Sequence, residues 1–223
     1  MSTATSLSQY WIENQLVIID TETTGLGDDA EIIEIAALRC DGQVMLNTLV
    51  KPLQLIPACA TAIHGITNDM VADAPSWPEV IGQLILATGP DDFLAYNSAF
   101  DARLIKQTTD AYYGDISVLF NAYHERHWCV MDVYSIFRNI KEGDGYKKHK
   151  LIEAARYEGV IIEGSPHRAL PDCQLTLELI KIMARGEREH NISSPPIESQ
   201  EENNANNPQK IMGRYIEKYN SKK

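Results

Sequence analysis

The composition of the chain limits the classes to which it can belong. Its 223 residues carry 20 lysines and arginines against 31 aspartates and glutamates, a formal charge of −11, which excludes a uniformly basic nucleic-acid-binding protein. No stretch approaches the roughly 18 apolar residues of a membrane span, and the first 15 residues lack a basic start followed by an apolar stretch. The four cysteines form no C-x-x-C pair, which argues against a zinc site and a disulfide framework. We therefore expect a cytoplasmic protein with no membrane contact.

The first 50 residues predict three antiparallel strands. Residues 16–20, Leu-Val-Ile-Ile-Asp, form the short apolar run of a buried central strand that ends at a carboxylate. Residues 32–39 and 44–50 are strand-like and flank an Asp-Gly turn, a strong hairpin signal.

The remaining apolar periodicity predicts helices that alternate with short strands. Helices are expected near residues 67–71 and 77–86, from 99 to about 108, and near 132–140, 149–158 and 170–184; strands are expected at 92–96 and 128–131. Strands first and βα alternation later predict an α/β fold, a mixed sheet with helices on both faces.

A change of composition divides the chain near residue 185. Residues 1–185 form the predicted domain, and 186–209, rich in Glu, Asn, Ser and Pro, form a predicted disordered linker. Residues 210–223 regain apolar side chains and carry five bases against one acid, which indicates a basic amphipathic peptide. Because residues 186–223 hold six acids and six bases, the whole negative charge belongs to the domain.

Two acids at the end of the first strand are the strongest local signal. Asp20 and Glu22 stand two residues apart in an extended segment, so their side chains point to the same side. Carboxylate oxygens suit Mg²⁺ or Mn²⁺, and ligands of open sheets usually bind at the carboxyl ends of strands. A surface acid pair that closes a strand is the alternative interpretation.

Three further residues can reach the same edge. Asp101 follows the strand at 92–96 and can project from the first turn of the next helix; its alternative role is a solvated acid near a helix N-terminus. His167 and Asp172 are five residues apart and cannot share one helical face. Pro171 is best tolerated in a first helical turn, which places Asp172 at the helix start and His167 in the preceding loop. His167 is then a candidate general base.

Taken in order, these motifs resemble those of a known family. D-x-E-T-T-G, N-x-x-F-D and H-x-A-x-x-D, together with His-Gly-Ile-Thr at 64–67, resemble the DEDDh (DnaQ-like) 3′→5′ exonucleases, a family that includes the proofreading subunit of bacterial DNA polymerase III, exonuclease X and ribonuclease T. The resemblance implies a ribonuclease-H-like fold with a five-stranded mixed sheet whose first three strands are antiparallel.

The resemblance also implies roles for the acids and the histidine. Asp20, Glu22 and Asp172 would hold one Mg²⁺ or Mn²⁺ ion, and Asp20 with Asp101 would hold a second. His167 would accept the proton of the attacking water. Pro171, directly before the last acid, departs from the family pattern and could shift the helix start by one residue.

Four residues are candidate substrate contacts by the same resemblance. Thr23 and Leu26 match positions that touch the terminal nucleotide. His64 either packs against the terminal base or sugar or stabilises a turn. Asn97 is either a helix cap or a phosphate contact.

The leading hypothesis is an enzyme, a metal-dependent 3′→5′ exonuclease that releases nucleoside 5′-monophosphates from a single-stranded or frayed 3′ end, with DNA favoured over RNA. An exoribonuclease is the first alternative, because no residue visibly reads the 2′-hydroxyl. The second is an interaction module with weak nuclease activity that docks on a polymerase, clamp or repair partner through residues 210–223, where Q-x-x-M-x-x-Y-I loosely resembles a clamp-binding peptide.

Overall fold

The computed structural model describes residues 2–89, 92–114, 127–161 and 167–186. The predicted linker beyond Gly186 and the predicted peptide at 210–223 lie outside the described residues. The helices are α1 (Thr3–Glu13), α2 (Ala58–His64), α3 (Asn68–Val71), α4 (Trp77–Thr88), α5 (Ser98–Tyr113), α6 (Val130–Arg138), α7 (Leu151–Tyr157) and α8 (Ala169–Arg185). The strands are β1 (Val17–Thr23), β2 (Ile32–Arg39), β3 (Val44–Leu49), β4 (Phe93–Ala95), β5 (His127–Cys129), β6 (Lys141–Glu142) and β7 (Gly145–Tyr146).

The main sheet has five strands in the order β3-β2-β1-β4-β5. β1, β2 and β3 pair antiparallel, whereas β4 and β5 run parallel to β1, so the sheet is mixed as predicted. The carboxyl ends of β1 and β4 therefore meet at one edge, which is where open α/β sheets usually bind ligands.

Helices cover both faces of this sheet, and alternate side chains of β1 divide the core between them. Ile18 packs with α1, α6 and α8 on one face, and Ile19 packs with α4 and α5 on the other. The apolar run that identified the central strand is thus apolar because both of its faces are buried.

Two predicted elements have different ends in the structure. The predicted strand at 128–131 ends at Cys129, because β4 ends at Ala95, the partner of Cys129, and α6 begins at Val130. The predicted helix at 99–108 extends to Tyr113. Pro171 lies in the first turn of α8, as predicted.

Four elements were not predicted: α1, α2, β6 and β7. Ser2 is the N-cap of α1, and its hydroxyl accepts a hydrogen bond from the Thr5 backbone at 3.2 Å. The helix buries Trp11 against Trp128. α2 ends at Gly65 in the left-handed conformation. β6 and β7 form a small separate hairpin. The N-cap serine and the apolar spacing of residues 4, 7 and 11 are the signals that identify α1.

All four cysteines are free thiols. Cys40, Cys129 and Cys173 are buried, and Cys59 is exposed. Within the described ranges, no helix has the length and apolar character needed to cross a membrane.

Candidate active site

Asp20 and Glu22 lie at the carboxyl end of β1 with their side chains on the same face. In the antiparallel register Asp20 pairs with Ala36 and Glu22 pairs with Glu34, so a small side chain stands beside Asp20 and a third carboxylate beside Glu22. The register shifts immediately after Glu22. Such irregularities re-aim side chains at sheet edges.

Asp101 reaches the same edge from the next βα unit. It lies in the first turn of α5 and is 4% exposed. The Thr21 hydroxyl donates a hydrogen bond of 2.9 Å to its Oδ1. Because Thr21 lies between Asp20 and Glu22 in β1, this bond ties the third acid to the strand that carries the first two.

Asp172 enters from α8, which packs directly on β1 and β2. The approach is close because the facing residues are small: Cys173 Sγ lies 3.7 Å from the Ile18 carbonyl oxygen and 3.8 Å from that of Ala36. Asp172, one residue earlier, is 8% exposed, and its backbone N–H makes the first hydrogen bond of the helix, to the Arg168 carbonyl. The departure at Pro171 therefore does not displace the acid.

His167 precedes this helix and is exposed, with a left-handed backbone φ of 61°. A ligating atom of His167 and carboxylate oxygens of Glu22 and Asp172 all lie within 4.8 Å of one another. The structure thus brings the predicted loop histidine to the predicted acids. The same distances allow His167 either to accept a proton at this site or to ligate an ion.

Burial dominates the electrostatics of the two β1 acids. It raises the pKa of Asp20 well above its usual range, and the nearby carboxylates of Asp101, Asp172 and Glu22 act in the same direction. Burial also raises the pKa of Glu22 to about 8, with Asp172 the largest of the contributing charges.

The other two acids are shifted less, because each has a stabilising neighbour. Burial raises the pKa of Asp101 to about 7, although the hydrogen bond from Thr21 lowers it. Burial raises the pKa of Asp172 to about 6, while the nearby charge and backbone N–H of His167 lower it. Deprotonation of all four acids is therefore costly without a compensating cation.

The donor set fits a hard divalent cation. All four acids offer carboxylate oxygens, the ligands preferred by Mg²⁺ and Mn²⁺. Asp172 Oδ1 is buried and has no hydrogen-bond partner among the residues that the structure describes. A buried oxygen in this state is costly unless an ion or water completes its coordination.

Thr23 ends β1, and Leu26 lies in the loop that follows. The Thr23 hydroxyl donates to the Gly25 carbonyl at 2.7 Å, so it shapes this loop. Leu26 is 79% exposed. Arg103 and Gln107 of α5 brace the loop from behind by donating to the carbonyls of Leu26 and Gly27 at 3.3 Å and 3.1 Å.

His64 and Asn97 are the two candidate substrate contacts for which the sequence also offers a structural role. His64 is buried, and its Nδ1 accepts a hydrogen bond of 3.0 Å from the Ile66 backbone, which is the turn-stabilising role. Burial lowers its pKa. Asn97 occupies the N-cap position of α5 without a side-chain capping bond and is exposed, so the capping role is absent and the phosphate contact stays a prediction.

Sequence reasoning missed two residues beside the acids, Glu34 and Arg168. Glu34 is 4% exposed and accepts hydrogen bonds from the Arg168 side chain and the Ala169 backbone. The available signal was a charged residue in the middle of the apolar run Ile32–Arg39, because a charge in a buried strand requires a partner.

A ribonuclease-H-like sheet with clustered carboxylates at the end of its central strand is the architecture of a nuclease, a hydrolase of phosphodiester bonds. The family model of the RNase_T exonucleases matches residues 17–180. The chain therefore belongs to this exonuclease family.

Three relatives extend the comparison. The uncharacterized exonuclease CP81 of Escherichia phage 186 is 46% identical over 187 residues, which are 83% of this chain and 96% of that protein. DNA polymerase III subunit epsilon of Aquifex aeolicus (strain VF5) is 30% identical over 177 residues, 77% of this chain and 82% of that protein. A solved structure of exonuclease X in complex with 5′ overhanging duplex DNA is similar with a TM-score of 0.54 at 31% identity, covering 76% of this chain and 92% of that one.

The raised carboxylate pKa values predict that the metal-free protein loses stability as pH rises. Unfolded carboxyl groups titrate near pH 4, whereas burial raises the pKa of Asp101 to about 7 and that of Glu22 to about 8. Between these limits the folded state binds more protons than the unfolded state, so the free energy of unfolding falls from about pH 4 to about pH 8, by about 1.4 kcal/mol per unit of pKa shift. Urea unfolding in a chelating buffer at pH 5 and pH 8 measures this loss.

The variant Asp101→Asn removes one of these titrations. In chelating buffer at pH 8 it should be more stable than the wild type, and added Mn²⁺ should stabilise it less. Asp73→Asn changes an exposed carboxylate outside the cluster and is the matched control. If the free energy of unfolding depended on pH equally in the wild type, Asp101→Asn and Asp73→Asn, the raised pKa of Asp101 would be contradicted.

Proposed function

We propose that the chain is a metal-dependent 3′→5′ exonuclease that hydrolyses the terminal phosphodiester bond of single-stranded or frayed DNA and releases nucleoside 5′-monophosphates. The observation that carries the proposal is the convergence of four carboxylates and one histidine at the carboxyl edge of β1. The direction of cleavage rests on the family resemblance. DNA is favoured because the similar solved structure is described as a complex with duplex DNA.

The acids form two overlapping groups that would hold two divalent cations. Glu22 and Asp172, with Asp20, would hold one, and Asp20 with Asp101 would hold the other. When bound, two such cations supply positive charge to the attacking and leaving oxygens and lower the pKa of a bound water. The Thr21 hydroxyl fixes the Asp101 carboxylate for this task through its 2.9 Å hydrogen bond.

The other residues at the edge would bind the 3′ end and move the proton. His167 is exposed yet close to Glu22 and Asp172, so its ring can accept the proton of the attacking water. Leu26 offers an exposed apolar side chain for packing on the terminal base, on a loop shaped by Thr23. Asn97 presents its exposed amide to a phosphate at the start of α5. His64 would hold the turn after α2 in place by accepting a hydrogen bond from the Ile66 backbone.

A 5′-labelled single-stranded DNA oligonucleotide with Mg²⁺ tests this function. We expect a ladder that shortens from the 3′ end, and a rate at least roughly 10³-fold lower for Asp20→Ala, because cation-mediated stabilisation of the transition state amounts to several kcal/mol. The matched control is Asp41→Asn, which changes an exposed carboxylate bound by Arg39 at the far end of β2.

The choice of substrate and the pattern of products test the alternatives. A matched RNA oligonucleotide degraded faster than DNA would support the exoribonuclease alternative. Internal fragments, shortening from the 5′ end, or activity in chelating buffer would contradict the proposal.

Two measurements distinguish whether His167 accepts a proton or ligates a cation. As a proton acceptor, His167→Ala should lower kcat by about 10²- to 10⁴-fold and leave the Mn²⁺ dissociation constant within about threefold. Electron paramagnetic resonance of free Mn²⁺ measures the affinity, and Asp172→Asn is the comparison that should weaken it. Equal loss of Mn²⁺ affinity in both variants would make His167 a ligand.

A polymerase partner is a second proposal, because one relative is named a subunit of DNA polymerase III. Residues 210–223 contain five bases and several apolar side chains, a composition that suits an acidic-rimmed apolar groove. The full chain should be retained on an immobilised bacterial sliding clamp, and a chain that ends at Gly186 should elute freely with unchanged nuclease activity. If both proteins eluted equally, binding to the clamp through residues 210–223 would be contradicted.

A further inference from the structure

A fifth carboxylate, Glu34, lies beside the four acids of the candidate site. It pairs with Glu22 in the register of β1 and β2, so both side chains leave the same face of the sheet. It is 4% exposed. Its charge also raises the pKa values of Asp20, Glu22 and Asp172, which places it within electrostatic reach of all three. By position alone, Glu34 would be a candidate ligand.

The hydrogen bonds of Glu34 give it a different role. Arg168 Nε lies 3.1 Å from Oε1 and 3.0 Å from Oε2, and Arg168 Nη2 lies 2.6 Å from Oε1. The Ala169 backbone N–H donates to Oε2 at 3.0 Å. Both oxygens are thus occupied by donors, one of them a guanidinium whose planar fork matches a carboxylate. Glu34 is therefore compensated by a protein side chain, without a metal ion.

The segment that Glu34 holds carries two residues of the site. Arg168 occupies the N-cap position of α8, and Ala169 is its first residue. His167, immediately before them, has a left-handed backbone φ of 61°, a conformation that is uncommon for residues with a side chain. Asp172 follows three residues after Ala169. An anchor at 168–169 therefore fixes the backbone from which both His167 and Asp172 project.

We propose that Glu34 is a positioning residue that acts through Arg168 and the Ala169 N–H to set His167 and Asp172 against Glu22. The proposal rests on the proposed function and deepens it. Glu34 anchors the loop–helix junction to β2, the neighbour of the strand that carries Asp20 and Glu22. Arg168 also cancels the charge of Glu34, so that the cation-binding groups are limited to the four remaining acids.

The variant Glu34→Gln tests the anchor with little change of volume. The amide nitrogen of the introduced glutamine is a donor and would face the donors of Arg168 or Ala169. The hydrogen bonds at one of the two side-chain oxygens of Glu34 are therefore lost. We expect kcat to fall about 10- to 100-fold, as for other residues that orient ligands, with KM within about threefold. Apart from activity, the Mn²⁺ dissociation constant measured by electron paramagnetic resonance should rise about tenfold, because Asp172 is no longer held.

The matched control is Glu158→Gln. Glu158 is also a buried carboxylate, which accepts hydrogen bonds from Arg138 at 3.0 Å and from the Tyr134 hydroxyl at 2.7 Å, outside the candidate site. The same chemical change there should lower the thermal midpoint while kcat, KM and Mn²⁺ affinity stay at wild-type values. If Glu34→Gln likewise lowers only the thermal midpoint, Glu34 is merely structural and the proposal is overturned.

A double-mutant cycle tests the route through Arg168. Arg168→Ala should lower kcat in the wild-type background. In the Glu34→Gln background it should lower kcat by a further factor of less than about three, because the two residues act as one unit. Fully additive effects would overturn the route. Arg168→Lys keeps the charge but loses the fork, and it should recover part of the kcat lost in Arg168→Ala. Arg168→Lys also provides the measurement if Glu34→Gln does not fold.

The Mn²⁺ measurement separates this proposal from the proposed function. If the wild type binds Mn²⁺ but does not degrade DNA or RNA, the proposed function fails, and the tenfold change of Mn²⁺ affinity still tests Glu34. If the wild type is an active nuclease and Glu34→Gln changes neither kcat nor Mn²⁺ affinity, the positioning role alone fails.

Discussion

Burial of four carboxylates at one edge of the sheet is the constraint on which the rest of the structure depends. Burial raises the pKa values of Asp20, Glu22, Asp101 and Asp172, and neighbouring carboxylates add to the shift at Asp20, Glu22 and Asp172. Such a cluster opposes folding at neutral pH unless positive charge is supplied. The chain supplies it for Glu34 through Arg168 and supplies a neutral hydrogen bond for Asp101 through Thr21. Arg168 forms its ion pair with Glu34 and not with an acid of the family motif.

The scaffold holds this cluster by packing one helix very close to the sheet. Cys173 is fully buried, with its sulfur 3.7 Å from the Ile18 carbonyl oxygen and 3.8 Å from that of Ala36. Ala36 stands directly opposite Asp20 in the register. A larger side chain at either position would separate α8 from β1 and move Asp172 away from Asp20. The small side chains of Cys173 and Ala36 therefore determine how close α8 brings Asp172 to the sheet.

Much of this arrangement was predictable because local patterns encode it. The apolar run before Asp20 predicted the central strand, and the alternation of strand side chains placed Glu22 beside Asp20. Proline chemistry at Pro171 predicted both the start of α8 and the position of His167 before it. These inferences required only sequence neighbours, and the structure agrees with each of them.

What the sequence did not reveal depends on contacts between distant residues. The partnership of Glu34 and Arg168 spans 134 positions of the chain, so no local spacing announces it. Glu22 and Glu34 are the same residue type, on adjacent strands and in direct register, and a composition-based reading would assign them alike. Their difference lies in the donors that surround them. An arginine and a backbone N–H saturate Glu34, whereas Glu22 has three carboxylates as its main neighbouring charges. Whether a buried acid holds a cation or orients the residues that do is therefore determined by its hydrogen-bond donors, which only the fold brings to it.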